Sequence, residues 1–336
     1  MKNALKRFLT DWGRDVGIVM AGSALGLVVL FVIWDEPDRP PAIGQRNLPV
    51  PIERSAPQYP VSPPTAPRPA AKARESVPRI LKPAATMKPD ERAEKEPDWR
   101  RFAVTHSPIM DRHMIAVIID DLGLDHTRTA KAMALSGPLI LSFLTYARNL
   151  RAQTAIARSS GHELMVHLPM EPDDSDAYAG PKMIKRDLSG DEIRRRLDWA
   201  LSRFEGYVGV NNHMGSRYTA YRPGMMLVME EINRRGLMFI DSKTSRNSVA
   251  PAVARELSMP FAQRHIFLDD SPKAGDIAAQ LKSLETLARS QGFAIAIGHP
   301  YDTTLSELKK WLPTLAPRGF ILVPASAIVR RRLEAG

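Results

Sequence analysis

Short apolar runs recur along the C-terminal two-thirds of this 336-residue chain, and nearly every one ends on a carboxylate, a histidine or both. The run from Met114 to Ile119 leads into Asp120-Asp121. Glu163 to Val166 leads into His167-Leu168-Pro169-Met170-Glu171, and Tyr207 to Val210 into Asn211-Asn212-His213. Leu237 to Ile240 ends on Asp241, His265 to Leu268 on Asp269-Asp270, and Phe293 to Ile297 on Gly298-His299. Only Pro138 to Leu144 ends more mildly, on Thr145-Tyr146. Amphipathic segments separate the runs, with helices expected over Asp125–Leu135, Asn149–Ser159, Ser189–Phe204, Pro223–Arg235, Asp276–Gln291 and Thr304–Leu312. Such alternation is the pattern of a parallel sheet. Between about His113 and Val329 it predicts an α/β fold, a (β/α) barrel of seven to eight parallel strands. An open doubly wound sheet is the alternative, but the first strand-to-helix turn has no glycine-rich phosphate loop. Side chains at the carboxyl ends of barrel strands converge on one mouth. Asp and His meeting there are the raw material of a metal-dependent hydrolase.

The first hundred residues differ in kind. Val16 to Trp34 contains no charged residue and is long enough to cross a bilayer, which needs ~20 apolar residues. A cleaved signal peptide is the rival, but its apolar core is shorter and ends at a small-residue site, which Phe31 to Glu36 does not offer. Lys2, Lys6, Arg7 and Arg14 precede the stretch, while Asp35, Glu36 and Asp38 follow it. Positive residues stay on the cytoplasmic side. The expected layout is therefore a cytoplasmic basic N-terminus over 1–15 and a single transmembrane helix over 16–34. The barrel, over 111–330, would lie in the periplasm of a cell with two membranes. Residues 35–110 are expected to be a disordered Pro-rich tether. Pro37 to Pro97 holds more than half of the chain's prolines and few large apolar residues, so it cannot bury enough surface to offset its ordering entropy. Between Arg46 and Lys88 the tether's charges are mostly positive in a chain of formal net charge +10, which reads either as a solvated tether or as contact with anionic headgroups or an acidic wall polymer. Nucleic acid is not expected, because the basic tether lies outside the cytoplasm and lacks interleaved aromatics. With no cysteine in the chain, disulfides are excluded.

Each strand-end residue has two readings. Adjacent residues on a strand face opposite ways, but at a strand end the chain leaves the pleat, so both Asp120 and Asp121 can reach the mouth. One can hold a metal while the other takes a proton, or the pair can merely cap a turn. Asp269 and Asp270 either line the mouth or cap the next helix. Asn211 and Asn212 either bind sugar hydroxyls or satisfy backbone groups in a tight turn. His162 and His265 begin their strands, which places them at the opposite, stable end as structural residues. Arg330-Arg331-Arg332 reads as a solvated tail.

The stretch Gly161-His162-Glu163-Leu164-Met165-Val166-His167 resembles the second motif of the polysaccharide deacetylases, a Gly-His-Glu strand leading to a metal-binding histidine. Asp120-Asp121 after an apolar strand resembles their first motif, and Ile297-Gly298-His299 their last. With Asn211-Asn212-His213-Met214-Gly215-Ser216 and Asp241-Ser242-Lys243-Thr244-Ser245, the body from about Met114 to Ala327 is similar to the divergent branch of that family. The resemblance implies a distorted (β/α) barrel and a divalent metal, commonly zinc, with Asp120 as general base, Asp121 and His167 as ligands and His299 as general acid. Glu171 stands where the family's second metal histidine is expected, and His213 at its strand end is the preferred third ligand, with Glu171 the alternative. The family's Arg-Pro motif has at most a relic in Arg222-Pro223. Asp241 is a candidate to orient His299, and Asn212 to support the site. The implied activity is deacetylation of an acetylated glycan or envelope polysaccharide. A barrel that has lost catalysis and serves as an envelope binding module is the second reading, and another metallohydrolase, such as a phosphoesterase, the third.

Overall fold

The computed structural model describes residues 18–23, 26–31 and 96–334. In the N-terminal part, two strands, β1 (Ile18–Ser23) and β2 (Gly26–Phe31), pair antiparallel with Ile18 opposite Phe31. They fall within the stretch where the sequence predicts a spanning helix, and no helix among the described residues is long and apolar enough to cross a membrane. The remainder of that stretch and the tether up to residue 95 lie outside the described residues.

The body is one parallel sheet of nine strands: β3 (His113–Leu122), β4 (Ile140–Leu144), β5 (Glu163–Met170), β6 (Gly209–Met214), β7 (Met238–Asp241), β8 (Phe261–Gln263), β9 (Ile266–Phe267), β10 (Phe293–Gly298) and β11 (Phe320–Leu322). The order along the sheet is β8-β7-β6-β5-β4-β3-β10-β9, with β11 beside the start of β3. β8 and β9 occupy opposite edges, yet only Arg264 and His265 separate them in the chain. Two residues bridge at most roughly 10 Å, so the sheet curls until its edges nearly meet. This is the expected distorted barrel, with its seam at Arg264-His265. The backbone spans the seam: Arg264 N donates to Asp241 O at 2.9 Å and His265 N to Ile295 O at 2.9 Å.

The pleat sorts residues into two cores. Met114, Ala116, Ile118, Ile140, Met165, Met238, Ile240, Ala262, Ile295 and Ile297 pack together inside the barrel. Their neighbours Ile115, Val117, Ile119, Leu141, Phe143, Leu164, Val166 and Phe239 pack outward under the helices. Both rows are apolar, as in strands buried on both faces. The helices stand close to their expected bounds: His126–Met133, Leu150–Ser159, Gly190–Leu201, Arg222–Arg234, Ala274–Gln291 and Asp302–Trp311. Ser189 caps its helix, accepting from Glu192 N at 3.3 Å.

Three elements depart from expectation. The helix Ala250–Glu256 and the strand β8 sit between the runs read as strands and are too short to show a period. The terminal Arg330-Arg331-Arg332 belongs to a helix, Ala325–Glu334, whose first turns are buried while the arginines face solvent. The body also begins before residue 111. Trp99 is buried, donates its backbone N–H to Gly236 O at 2.9 Å, and packs with Phe102 and Ile109 against the inner core. Residues 96–110, expected in the tether, thus close the amino-terminal end of the barrel, because their aromatic side chains find apolar surface there.

Candidate active site

Following the inner rows toward the carboxyl ends of the strands, apolar residues give way to polar ones. Ile118 is succeeded by Asp120, Ile140 by Ser142, Met165 by His167, Ile240 by Ser242 and Ile297 by His299, each two residues on and so on the same face. On β6 the matching positions are Asn211 and His213, with Asn211 level with His167 across the β5–β6 pair. Alternation thus gathers Asp120, His167, Asn211, His213 and His299 at the mouth.

Asp121 joins them by a different device. It adopts a left-handed backbone, φ 57°, and the β3–β4 register shifts between Ile119 and Leu122. A bulge of this kind re-aims a side chain, so Asp121 faces the mouth beside Asp120. Met214 (φ 52°) and Lys243 (φ 53°) are left-handed as well, just past His213 and Ser242. Such backbone costs of order 1 kcal/mol or more at a non-glycine residue and clusters at functional sites.

Three atoms meet at one point. Oδ1 of Asp121 lies 2.8 Å from Nδ1 of His213 and 3.2 Å from Nε2 of His167. Ligand atoms of these three residues all lie within 4.8 Å of one another. Asp121 Oδ1 is buried, yet neither histidine nitrogen is aligned to hydrogen-bond it. A buried carboxylate oxygen with no hydrogen bond is costly, and the arrangement fits atoms that direct their lone pairs at a shared cation. One carboxylate and two imidazoles are a donor set suited to a divalent transition-metal ion, with coordination positions left open. Burial alone would raise Asp121, but the two adjacent imidazoles, when they carry protons and act as donors and charges, outweigh it and hold the carboxyl well below the usual carboxylate range.

Asp120 is buried and takes a hydrogen bond from Asn211 Nδ2 at 2.7 Å, with its second oxygen 3.7 Å from His167 Nε2. Burial dominates here and pushes Asp120 up, against the pull of His167, His299 and the Asn211 amide. Asn211 also accepts from Ser142 Oγ at 2.5 Å and lies 2.9 Å from His167 Nδ1. For His167, burial disfavours the charged ring, but Asp120 and Asp121 outweigh it and the net shift is upward.

His299 stands on the other side of the carboxylate pair, its Nε2 3.9 Å from Asp121 Oδ2. Its Nδ1 is 3.0 Å from Asp269 Oδ1, and its backbone N–H donates to Asp269 Oδ2 at 2.6 Å. Thr304 Oγ1 donates to the same Oδ2 at 2.8 Å. Burial would lower His299, but the Asp269 bond and the Asp121 and Asp120 charges push it up to about 9. The rings of Phe267 and Tyr301 flank it, with centroids 5.5 and 5.6 Å away.

Several expected roles move. The carboxylate that orients His299 is Asp269, not Asp241. Asp241 is out of phase with the inner row, and its oxygens accept from Lys243 N at 2.8 Å and Ser248 Oγ at 2.7 Å. Asn212 is out of phase too. It accepts from Ser242 N at 2.9 Å and donates to Met214 O at 2.7 Å, which makes it a loop brace. Glu171 stands outside the Asp121–His167–His213 group, taking a hydrogen bond from Arg186 N at 2.7 Å and facing Arg217 Nη1 at 3.5 Å. Arg222 pairs with Glu256 on the surface and braces nothing at the mouth. His162 is buried at the far end against Met133 O, and His265 Nδ1 accepts from Ile295 N, both in the structural places expected. The residues that sequence reasoning left undecided are Asn211 and Asp269. Strand phase is the signal that finds Asn211, two residues before His213. Asp269 ends an apolar run as His299 does, but its pairing with His299 follows from no local pattern.

Residues 117–329 match the divergent polysaccharide deacetylase family. More than half of the chain is covered, and the chain belongs to that family. An uncharacterized protein of Escherichia coli strain K12, YibQ, is 34% identical over 215 residues, covering 64% of this chain and 67% of the relative. An uncharacterized protein of Haemophilus influenzae is 33% identical over 207 residues, covering 60% of this chain and 71% of the relative. Among solved structures, the uncharacterized protein ATU2773 of Agrobacterium tumefaciens C58 aligns with a TM-score of 0.67 at 27% identity, covering 69% of this chain and 95% of that one.

Proposed function

We infer that this protein is a metal-dependent carbohydrate deacetylase that removes acetyl groups from an acetylated glycan of the cell envelope. The observation that carries the reading is the meeting of Asp121, His167 and His213 at one point, with Asp120 and His299 beside it. A divalent cation held by those three, zinc being the metal that the family resemblance implies, would supply Lewis-acid chemistry and lower the pKa of a bound water. Asp120 is placed to accept the proton of the attacking water, and burial raises its affinity for a proton above that of an ordinary carboxylate. His299, kept protonated by Asp269, is placed to donate to the departing amine nitrogen as the C–N bond breaks. Asp269 holds the ring in that orientation through both the side chain and the backbone of His299.

The uncharged stretch from Val16 to Trp34 is the proposed anchor in the cytoplasmic membrane, with the body in the periplasm. A lone antiparallel strand pair leaves its outer edges unpaired, which hydrocarbon does not tolerate, so insertion would take that stretch to a helix. Membrane fractionation of the full chain, with reporter fusions after Trp34 and at the C-terminus, tests the topology. A body found in the cytoplasm would refute it.

The activity is tested by loading purified protein with zinc and measuring acetate release from N-acetylated chito-oligosaccharides and peptidoglycan fragments, with phosphorylated sugars as the competing class. Zinc binding and acetate release that disappears in Asp120→Asn are the expected results. Phosphate release instead would make the protein a phosphoesterase. A second reading, a barrel retained for binding alone, is favoured by Glu171, which stands at the position expected for a ligand but is turned to Arg186 and Arg217. Glycan binding with neither release would establish it.

A further inference from the structure

We propose that Asn211 is a positioning residue that serves the metal ligand and the base at once, its carbonyl fixing the His167 ring and its NH2 fixing the Asp120 carboxylate. This rests on the deacetylase reading above. Asn211 is fully buried on β6, level with His167 on β5. It touches four inner-row side chains. Nδ2 is 2.7 Å from Asp120 Oδ1 and 3.3 Å from Ser242 Oγ, while Oδ1 is 2.5 Å from Ser142 Oγ and 2.9 Å from His167 Nδ1.

Donor and acceptor roles follow from the chemistry of the partners. Asp120 as a base is ionised, and a carboxylate only accepts. The amide must therefore turn its NH2 to Asp120, which leaves its oxygen facing His167. That oxygen only accepts, so the proton of neutral His167 sits on Nδ1. Nε2 is left bare and faces Asp121 Oδ1 at 3.2 Å. A ligand histidine whose other nitrogen is held this way has its tautomer and ring orientation set for metal. Asn alone combines a donor and an acceptor at this side-chain length. Asp offers two acceptors, Leu neither, and Gln is one methylene longer. The two functions are thus separable by substitution.

The test compares Asn211→Asp and Asn211→Leu with the full-length protein, reading zinc affinity by competition with a chromogenic chelator and acetate release from N-acetylated chito-oligosaccharide. Asn211→Asp keeps an acceptor for His167 Nδ1–H but sets a second acceptor against Asp120. It should bind zinc within a few-fold of the parent while kcat falls about 100-fold and KM stays nearly constant. Asn211→Leu serves neither partner and should lose zinc affinity by about 10–100-fold, the usual effect of removing an outer-shell partner, along with activity. Thermal melts identify misfolding, and if the leucine variant fails to fold, the near-isosteric aspartate variant decides. Zinc affinity lost and activity lost together in Asn211→Asp, or full activity in it, would overturn the proposal. If the parent binds zinc but releases no acetate, the deacetylase reading fails while the affinity loss in Asn211→Leu still upholds the ligand-positioning half. A parent that binds no zinc overturns both.

Discussion

Asp269 grips His299 twice, taking its backbone N–H at 2.6 Å on Oδ2 and its Nδ1 at 3.0 Å on Oδ1. The two residues lie thirty positions apart, on segments that follow the paired strands β9 and β10. The carboxylate sets the ring's orientation and raises its proton affinity in the same contact. Replacing it therefore has a signature in pH and not only in rate. With His299 as the acid, kcat/KM falls as pH rises through its pKa, which stands at about 9. In Asp269→Asn this alkaline limb should move to lower pH, toward the ordinary value of 6.5. A pH–rate profile of acetate release checks it, and an unmoved limb would assign the titration elsewhere.

The group formed by Asp121, His167 and His213 predicts a metal requirement. Removing one ligand should weaken zinc binding by about 100-fold or more, since outer-shell losses alone cost ~10–100-fold. His213→Ala is the sharper variant, because it distinguishes the third ligand from Glu171. Glu171→Gln should leave affinity unchanged, as its oxygens are engaged with Arg186 and Arg217. Equilibrium dialysis against zinc, with bound metal measured by elemental analysis, reads both.

At the opposite end of the barrel, Glu163 is fully buried, with its carboxylate against the backbone N–H of Ser326 at 3.1 Å and against the Ser326 hydroxyl. It thus caps the start of the closing helix Ala325–Glu334. Burial raises its pKa from 4.5 to about 7, the Ser326 bonds opposing only in part. The folded state therefore holds a proton that the unfolded chain releases. Stability from this group is full below about pH 4.5 and is lost as pH rises through about 7, by on the order of 3 kcal/mol. Glu163→Gln should flatten the pH dependence of Tm across that window. An unchanged slope in thermal melts would show that Glu163 is not its source.

Gly209 opens β6, and a Cβ there would lie 2.2 Å from the carbonyl oxygen of Met238 on β7. Backbone cannot yield as a flexible side chain does, so Gly209→Ala should destabilise the fold by about 2 kcal/mol. Its thermal unfolding midpoint should drop by several degrees, and a wild-type midpoint would mean that β6 and β7 part without cost.

Apart from the helix Ala250–Glu256, β8 and the helix Ala325–Glu334, the order of strands and helices was legible in the amino-acid sequence, as were the parallel barrel and the carboxyl-end positions of Asp120, Asp121, His167, His213 and His299. Each depends on a local property: hydrophobic period, capping, or the end of an apolar run. Partnerships were not legible. Asp241 and Asn212 end their runs as plainly as His213 does, but the phase of the pleat turns them away from the mouth. That phase is set by which row of each strand packs inside the barrel. Asp269 reaches His299 only because the short strand β9 joins the far edge beside β10. Asn211 meets Asp120 only because curling brings the inner rows of β3 and β6 to within one amide of each other. Sequence alone determined which chemistry gathers at the mouth, because periodicity is local. The tertiary structure decided which residue holds which, because contacts between strands depend on register and curvature that no single strand encodes.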